Sequence, residues 1–572
     1  MPILPQAVLA DEPLAFPPAP AYLQPLLLAW LGPLLTWLTQ HLYHLIVARC
    51  PTHPLVRLAA AYDPAAVVTA CAAYRHASGP GAPPTYTIAH LVRAEMVRVW
   101  AGSCSDPALE RLLLTDLVAR WFVGLPLLGP TPDHTTLHRF HAWLVRDQPH
   151  ALFADVLAFL DRVDPEDPAA TPQIADTFAL ASPAAPHGLI RVLLDLARHL
   201  VVDWQRHAPA EQQAALSALD LTLLHQPPPL YTADQRAAAL GPVVALVRAL
   251  DAALRPLLPT LPPAPRAAAQ HWLDLLNKVL ADEITTDAAG GVTERPAGQK
   301  GAYRLASAVD VEATFRKHAP DPAVFGYNAA LATTKTRIRA AVILPGSTPD
   351  SAAPGALLEQ QQAAGQPLPP QVIMDAAAGW GKTRAQVEAV TDGQTQVVAR
   401  IPQSGGADAT RFSPADFVLS ADGTTCTCPN GVVSRQAYAS GAGDGVQFRF
   451  SAQQCAGCPL AARCRAPVSK PTSPRTVYIT PYHEHLRAAA AFNASAAGKA
   501  LLAERWRVEP TIAWLVRYEG CRRARQVGRA AAQLHLYQAC ALRNLWRWLG
   551  RVARRGTPRP GERGEAAHAT PA

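Results

Sequence analysis

No basic residue precedes the first apolar stretch of this chain. "MPILPQAVLADEPLAF" lacks the positive n-region of a secretory signal. A reduced intracellular setting is therefore expected, in which the ten cysteines hold metal or stay free rather than form disulfides. Between Ala21 and Ala48 charge is absent altogether. Length and hydropathy there allow a membrane span, but Gln24, Pro25, Pro33, Thr36, Thr39, Gln40, His41 and His44 interrupt it. Thr36, Gln40 and His44 are four apart and share one helical face. The expectation is an amphipathic helix packed on other helices, with no membrane partner. Beyond Tyr518 it is acid that is scarce: Arg522, Arg523, Arg525, Arg529, Arg543, Arg547, Arg551, Arg554, Arg555, Arg559 and Arg563 face only Glu519, Glu562 and Glu565. Such an excess attracts polyanions, phosphate above all. A solvated basic tail, in a chain rich in Arg, Ala and Pro, is the plainer alternative.

What is present suffices for a sizeable core. The chain has 572 residues, 49% of them hydrophobic, and a formal charge of +8, which allows two to four domains. Residues 1–150 read as a helical domain, with "DPALERLLLTDLVARWFVGL" and "TPDHTTLHRFHAWLVRD" showing helical periodicity. "DRVDPEDPAATPQ" reads as a polar, proline-bearing linker. "IADTFALAS" alternates and is short, so it reads as a strand. A helical excursion follows at about 186–282. "VFGYNAALATT" and "RIRAAVILPGS" read as adjacent strands joined by a basic turn at Lys335–Arg337. "DSAAPGALLEQQQAAG" reads as a helix, with "QVIMDAAAG" and "TQVVARIPQ" as further buried strands. Residues 170–402 thus form an α/β unit with mixed strands and flanking helices. Residues 403–498 read as an irregular or β, cysteine-bearing insertion and 499–552 as closing helices, the first from about Gly498 to Tyr518. Residues 553–572 read as a disordered tail.

Asp176 and Asp375 lie in apolar strands, where an uncompensated carboxylate is costly. A divalent cation with hard oxygen ligands is one compensation; a turn cap or an arginine partner is the other. Glu509 lies on an Arg-rich helix, "ERWRVEPTIAWLVRYEG". Cysteines form a second cluster. "CTCPNG" and "CAGCPLAARC" offer Cys428, Cys455, Cys458 and Cys464 as four thiolates for a closed structural Zn²⁺ site, with Cys426 as a competing ligand and reduced free thiols as the alternative. No histidine lies within that cluster, which argues against a redox or nucleophilic cysteine there.

Taken in order, these segments resemble the bacterial insertion-sequence transposases of the DDE class, in the subgroup with a helical N-terminal domain and a cysteine-bearing insertion before the last acid. "PDHTTLHRF" is similar to the end of the N-terminal domain, "SAVDVEATFRKH" to the Asp-Pro-Asp-Ala-Arg segment and "FGYNAALATT" to the Gly-Tyr-Lys segment. "VIMDAAAGWGKTR" is similar to the second-Asp strand and the "ERWRVEP" stretch to the final helix pair. The resemblance implies an RNase H-like domain with Asp176, Asp375 and Glu509 as catalytic carboxylates on Mg²⁺ (or Mn²⁺). It implies cleavage and joining of phosphodiester bonds at the element's ends by a two-metal mechanism. Arg505 keeps the family's Arg-x-x-x-Glu spacing and would contact phosphate or orient Glu509. The implied partners are double-stranded DNA, contacted also by Arg522, Arg523, Arg525 and Arg529, and further copies of the chain assembled on DNA. The implied location is the bacterial cytoplasm, at the nucleoid. A decayed, non-catalytic DNA-binding remnant is the alternative. Leu502, Asn328, Ala378 and Val516 stand where the family has tyrosine, lysine, tyrosine and a basic residue.

Overall fold

The computed structural model describes residues 24–74, 85–127, 129–288, 290–301, 303–317, 320–402, 411–439, 444–465 and 474–555. The protein is a mixed α/β structure, 56% helical, with a curled mixed sheet. Five strands carry the argument: β1 (Gln173–Ala181), β2 (Val324–Thr333), β3 (Ile338–Pro345), β4 (Gln371–Ile373) and β5 (Gln396–Val398). Their spatial order is β3–β2–β1–β4–β5. The first three are antiparallel to one another, whereas β4 runs parallel to β1 and β5 parallel to β4. A short strand, Thr314–Arg316, also pairs with β2.

The two faces of this sheet are packed differently. Ile174, Phe178 and Leu180 of β1 face a core shared with the N-terminal helices and with helix Arg529–Arg555, through Leu55, Met96, Phe140, Leu536 and Leu545 among others. Because strand side chains alternate, Asp176 belongs to this same face. The opposite face is small: Ala175, Ala330, Ala332 and Ala340 let helices Ala353–Ala363 and Gly381–Thr391 approach closely, with Leu357, Leu358 and Val387 filling the contact. The excursion has its own core, built from helices Leu189–His207, Ala233–Leu254 and Pro263–Glu283 around Leu193, Leu200, Trp204, Val243 and Leu273. Among the described residues one helical stretch, Ala233–Thr260, is long and apolar enough to cross a membrane. Its apolar side is the centre of that core.

Several elements differ from the sequence reading. The stretch read as a linker is held fast. Arg337, fully buried at the β2–β3 turn, pairs with Asp161 at 2.8 Å and lies 3.5 Å from Glu166, and Arg339 reaches the same two acids. Arg551 closes the cluster on Asp164 at 2.5 Å. The acidic "linker" is thus the counter-charge of the basic turn. Helix Gln24–Arg49 leans on helix Leu117–Val123, where Tyr43 donates to the Leu125 carbonyl at 2.7 Å, but Leu34, Trp37 and Leu45 remain exposed. The closing helix read from Gly498 to Tyr518 is broken. Ala496–Ala503 is followed by a 3₁₀ turn, Arg505–Val508, and then by helix Glu509–Tyr518. Pro510 accounts for the break, since its ring has no N–H and excludes the carbonyl four residues back. The described parts of 403–498 contain two three-stranded sheets, and helix His483–Ala494 follows them.

Candidate functional site

The site forms where β1 meets β4. Ile174 lies opposite Ile373 in parallel register, so two residues further on Asp176 and Asp375 lie next to each other on neighbouring interior strands, just past the end of β4. Asp375 follows the end of β4, and its Oδ1 accepts the Ala377 amide at 3.0 Å, capping the turn Ala376–Gly379. That turn is tight against its neighbour: a Cβ on Gly379 would stand 1.9 Å from the Arg400 carbonyl, so glycine is required there. Asp176 Oδ1 accepts the Thr177 amide at 2.8 Å. Burial pushes the Asp176 carboxyl above the ordinary carboxylate range. The Thr177 amide and Arg505 pull it back, and the charges of Asp375 and Asp350 push it up again.

Glu509 arrives from a different element, as the first residue of its helix, where the helix dipole favours a carboxylate. It reaches the other acids through Arg505, one turn earlier. The Arg505 guanidinium donates to Glu509 Oε1 at 2.9 Å and to Asp176 Oδ2 at 3.4 Å. The ordinary ion pair with Glu509 is therefore present, and the same cation also spans to Asp176. Among the described residues no three His, Cys, Asp or Glu side chains are grouped closely enough to hold a metal as they stand. The donor set nevertheless suits a small, oxygen-seeking cation: Asp176 is partly buried, and the charges of Asp375 and Asp350 act on it, so a cation there would relieve both the burial and the repulsion.

Sequence reasoning missed the polar support behind β1. Asp350 reads as a helix-capping residue, yet it receives Arg316 at 3.3 Å and the Asn328 amide at 2.8 Å, while Arg316 also donates to Thr177 at 3.0 Å. Asn328, standing where the family has lysine, thus works as an acceptor for Arg316 and a donor to Asp350. Only the alternation of polar Thr177 and Asn328 within apolar strands could have signalled this cluster. A second hub is Asp310, buried to 1% exposure, which accepts Tyr327 Oη at 2.6 Å, Ser182 Oγ at 2.5 Å and the Gly528 amide at 3.2 Å. The segments resembling the Asp-Pro-Asp-Ala-Arg and Gly-Tyr-Lys motifs therefore meet as architecture, tying β1, β2 and the last helix together.

The four arginines expected on DNA lie along the segment that borders the end of β1 and the first turn of the last helix. All four are exposed. Arg523 donates to the Ser182 carbonyl at 3.2 Å, Arg525 to the Gly102 carbonyl at 3.4 Å, and Arg529 pairs with Glu312 at 3.6 Å. In the insertion, Cys428, Cys455, Cys458 and Cys464 line one small cavity, and Cys426 does not.

Two family models match this chain. One, a transposase DDE domain, covers residues 427–549. The other, a transposase domain (DUF772), covers residues 45–142. The first match takes in the cysteine cluster, Glu509 and most of the last helix, while Asp176 and Asp375 precede it. No curated protein and no solved structure matches the chain. A transposase-domain match thus lies towards each end of the chain, and together the two support an insertion-sequence transposase of the DDE class.

Proposed function

We propose that this protein cleaves and joins DNA strands at the ends of an insertion sequence, using Asp176, Asp375 and Glu509 as metal-holding carboxylates. The observation that carries the reading is Arg505, which donates to both Asp176 and Glu509, together with the parallel β1–β4 register that brings Asp375 towards Asp176. The strand order β3–β2–β1–β4–β5, antiparallel then parallel, supports an RNase H-like catalytic domain.

Asp176 and Asp375 would hold Mg²⁺ or Mn²⁺ from adjacent strand ends, and Glu509 would complete the set. The chemistry such a pair of ions supplies when bound is activation of the attacking hydroxyl and stabilisation of the leaving oxygen. The chain's own contribution is positional. The turn fixed by Gly379 sets Asp375, the Thr177 amide orients Asp176, and the Arg316–Asp350–Asn328 cluster fixes the strand behind them. Arg505 is placed to turn from Asp176 to a DNA phosphate. The N-terminal helices and the exposed arginines from Arg522 to Arg529 would bind the DNA ends, with copies of the chain assembling on DNA in the bacterial cytoplasm.

The test is incubation of purified protein with DNA carrying the element's inverted repeats. Nicking at the repeat ends that requires Mg²⁺ or Mn²⁺ is the expected result. Specific binding of the same DNA without cleavage at any metal concentration would establish the remnant reading instead.

A further inference from the structure

The cysteine-bearing insertion is poorly equipped to hold itself together. Its two sheets are built from strands of two to five residues, and its buried core consists of Phe417, Cys426, Phe448, Phe450, Val477 and Ile479. A core of that size rarely stabilises a module without a staple. Beside it lies a cavity of about 30 Å³, into which Cys428, Cys455, Cys458 and Cys464 all open. A cavity needs about 10–15 Å³ to take one water, so one ion fits and a larger ligand does not.

We propose that this cavity is a structural zinc site whose four ligands are the thiolates of Cys428, Cys455, Cys458 and Cys464. The local chain geometry suits the assignment. Cys428 heads a tight turn in which the Gly431 amide donates to its carbonyl at 2.8 Å. Cys455 ends a one-turn helix, Cys458 follows with its amide 3.3 Å from the Cys455 carbonyl, and Cys464 ends a second one-turn helix. Each sulfur therefore sits on a short, separately turned piece of chain; the four line one cavity without being drawn to metal-ligand distance, and a bound zinc would draw them together. Among the described residues no carboxylate and no histidine lines the cavity, and tetrahedral Zn²⁺ accepts the four sulfurs that do. Arg465 and Arg475 stand at its wall, and Nε of Arg475 is buried without an acceptor. A zinc–tetrathiolate centre carries net negative charge and offers these guanidinium groups sulfur acceptors.

The structure also separates the ligands from their competitor. Cys426 lies on a strand between Leu419 and Ser434 and is fully buried in the phenylalanine core. It is a packing residue. Cys464 and Arg475 also belong to the wall of a larger groove, about 850 Å³, that runs between the insertion and the start of helix Gly381–Thr391, past Trp380, Lys382 and Tyr482. The zinc would thus hold one side of that groove.

The test needs no cleavage assay, and its failure would leave the carboxylate reading untouched. Full-length protein purified without chelator should contain about one zinc per chain. Exchange into Co²⁺ should give the visible bands of a tetrahedral cobalt–thiolate centre. Cys455→Ser with Cys458→Ser should lose the metal and become protease-sensitive within residues 411–480, whereas Cys426→Ser should keep it. Should the double variant fail to fold, thiol titration of the native wild-type protein decides: four cysteines protected until zinc is chelated support the site. Wild-type protein that folds metal-free, with these thiols reactive and the insertion protease-resistant, would overturn it.

Discussion

Arg505 donates to Asp176 Oδ2 across 3.4 Å, joining residues 329 positions apart in the chain. The same guanidinium holds Glu509 at 2.9 Å. A cation thus occupies the space between two of the proposed metal-holding carboxylates.

Arg505 should therefore compete with metal. In Arg505→Ala, Mn²⁺ binding followed by electron paramagnetic resonance or calorimetry should tighten by a few-fold, the order expected of a partly exposed ion pair. DNA cleavage should fall nonetheless, because a phosphate contact is lost. Weaker Mn²⁺ binding in the variant would mean that the arginine orients the acids rather than rivals the ion.

The buried hub at Asp310 makes a separate prediction about stability. Tyr327→Phe should cost about 1 kcal/mol, and Asp310→Ala about 3 kcal/mol, because the second leaves the buried Tyr327 and Ser182 hydroxyls and the partly buried Gly528 amide without that acceptor. Denaturant or thermal unfolding measures both. Equal effects would show that the hydrogen-bond network is not centred on the carboxylate.

Glu519 gives a pH dependence. It is 3% exposed, and burial pushes its carboxyl from the ordinary 4.5 up to about 7, against a hydrogen bond from Trp514 and the charge of Arg543. A folded-state value above the unfolded one means the folded chain holds the proton more tightly. The associated stability is fully present below the unfolded value and is lost as pH rises through about 7. The loss should be on the order of 3 kcal/mol. Glu519→Gln, which keeps an acceptor for Trp514, should flatten stability between those pH values. An unchanged profile would place the titration elsewhere.

DNA binding should fall steeply with salt. Replacing Arg522, Arg523, Arg525 and Arg529 by alanine should weaken binding to all sequences and lower the salt slope by about 3 to 4. Arg523→Ala alone should also cost stability, because that side chain bonds the Ser182 carbonyl. An unaltered slope would reduce the basic segment to a solubility feature.

How much of this was legible in the sequence depended on the range of the interaction. The strands around Asp176 and Asp375 stand out because an acid in an apolar, alternating stretch is a local contradiction. Their parallel register is not local, and neither is the role of Asp350, whose partners Arg316 and Asn328 lie 34 and 22 residues away. The Arg505–Glu509 pair follows from helical spacing, but its reach to Asp176 does not. The break before Glu509 was signalled by Pro510, whose effect the surrounding helix-favouring residues conceal. The insertion's strands are too short for alternation to register, whereas its cysteines announce themselves by spacing alone.

The central claim is that three carboxylates act as one metal-dependent unit, and single amide substitutions test it most directly. Asp176→Asn, Asp375→Asn and Glu509→Gln preserve shape and remove charge. Measured on DNA carrying the element's ends, each should lower Mg²⁺-dependent cleavage on the order of a thousandfold or more, and double variants should lose little further. DNA affinity, measured in parallel, should stay nearly that of the wild type. Cleavage retained by any one of the three, with binding intact, would contradict the account.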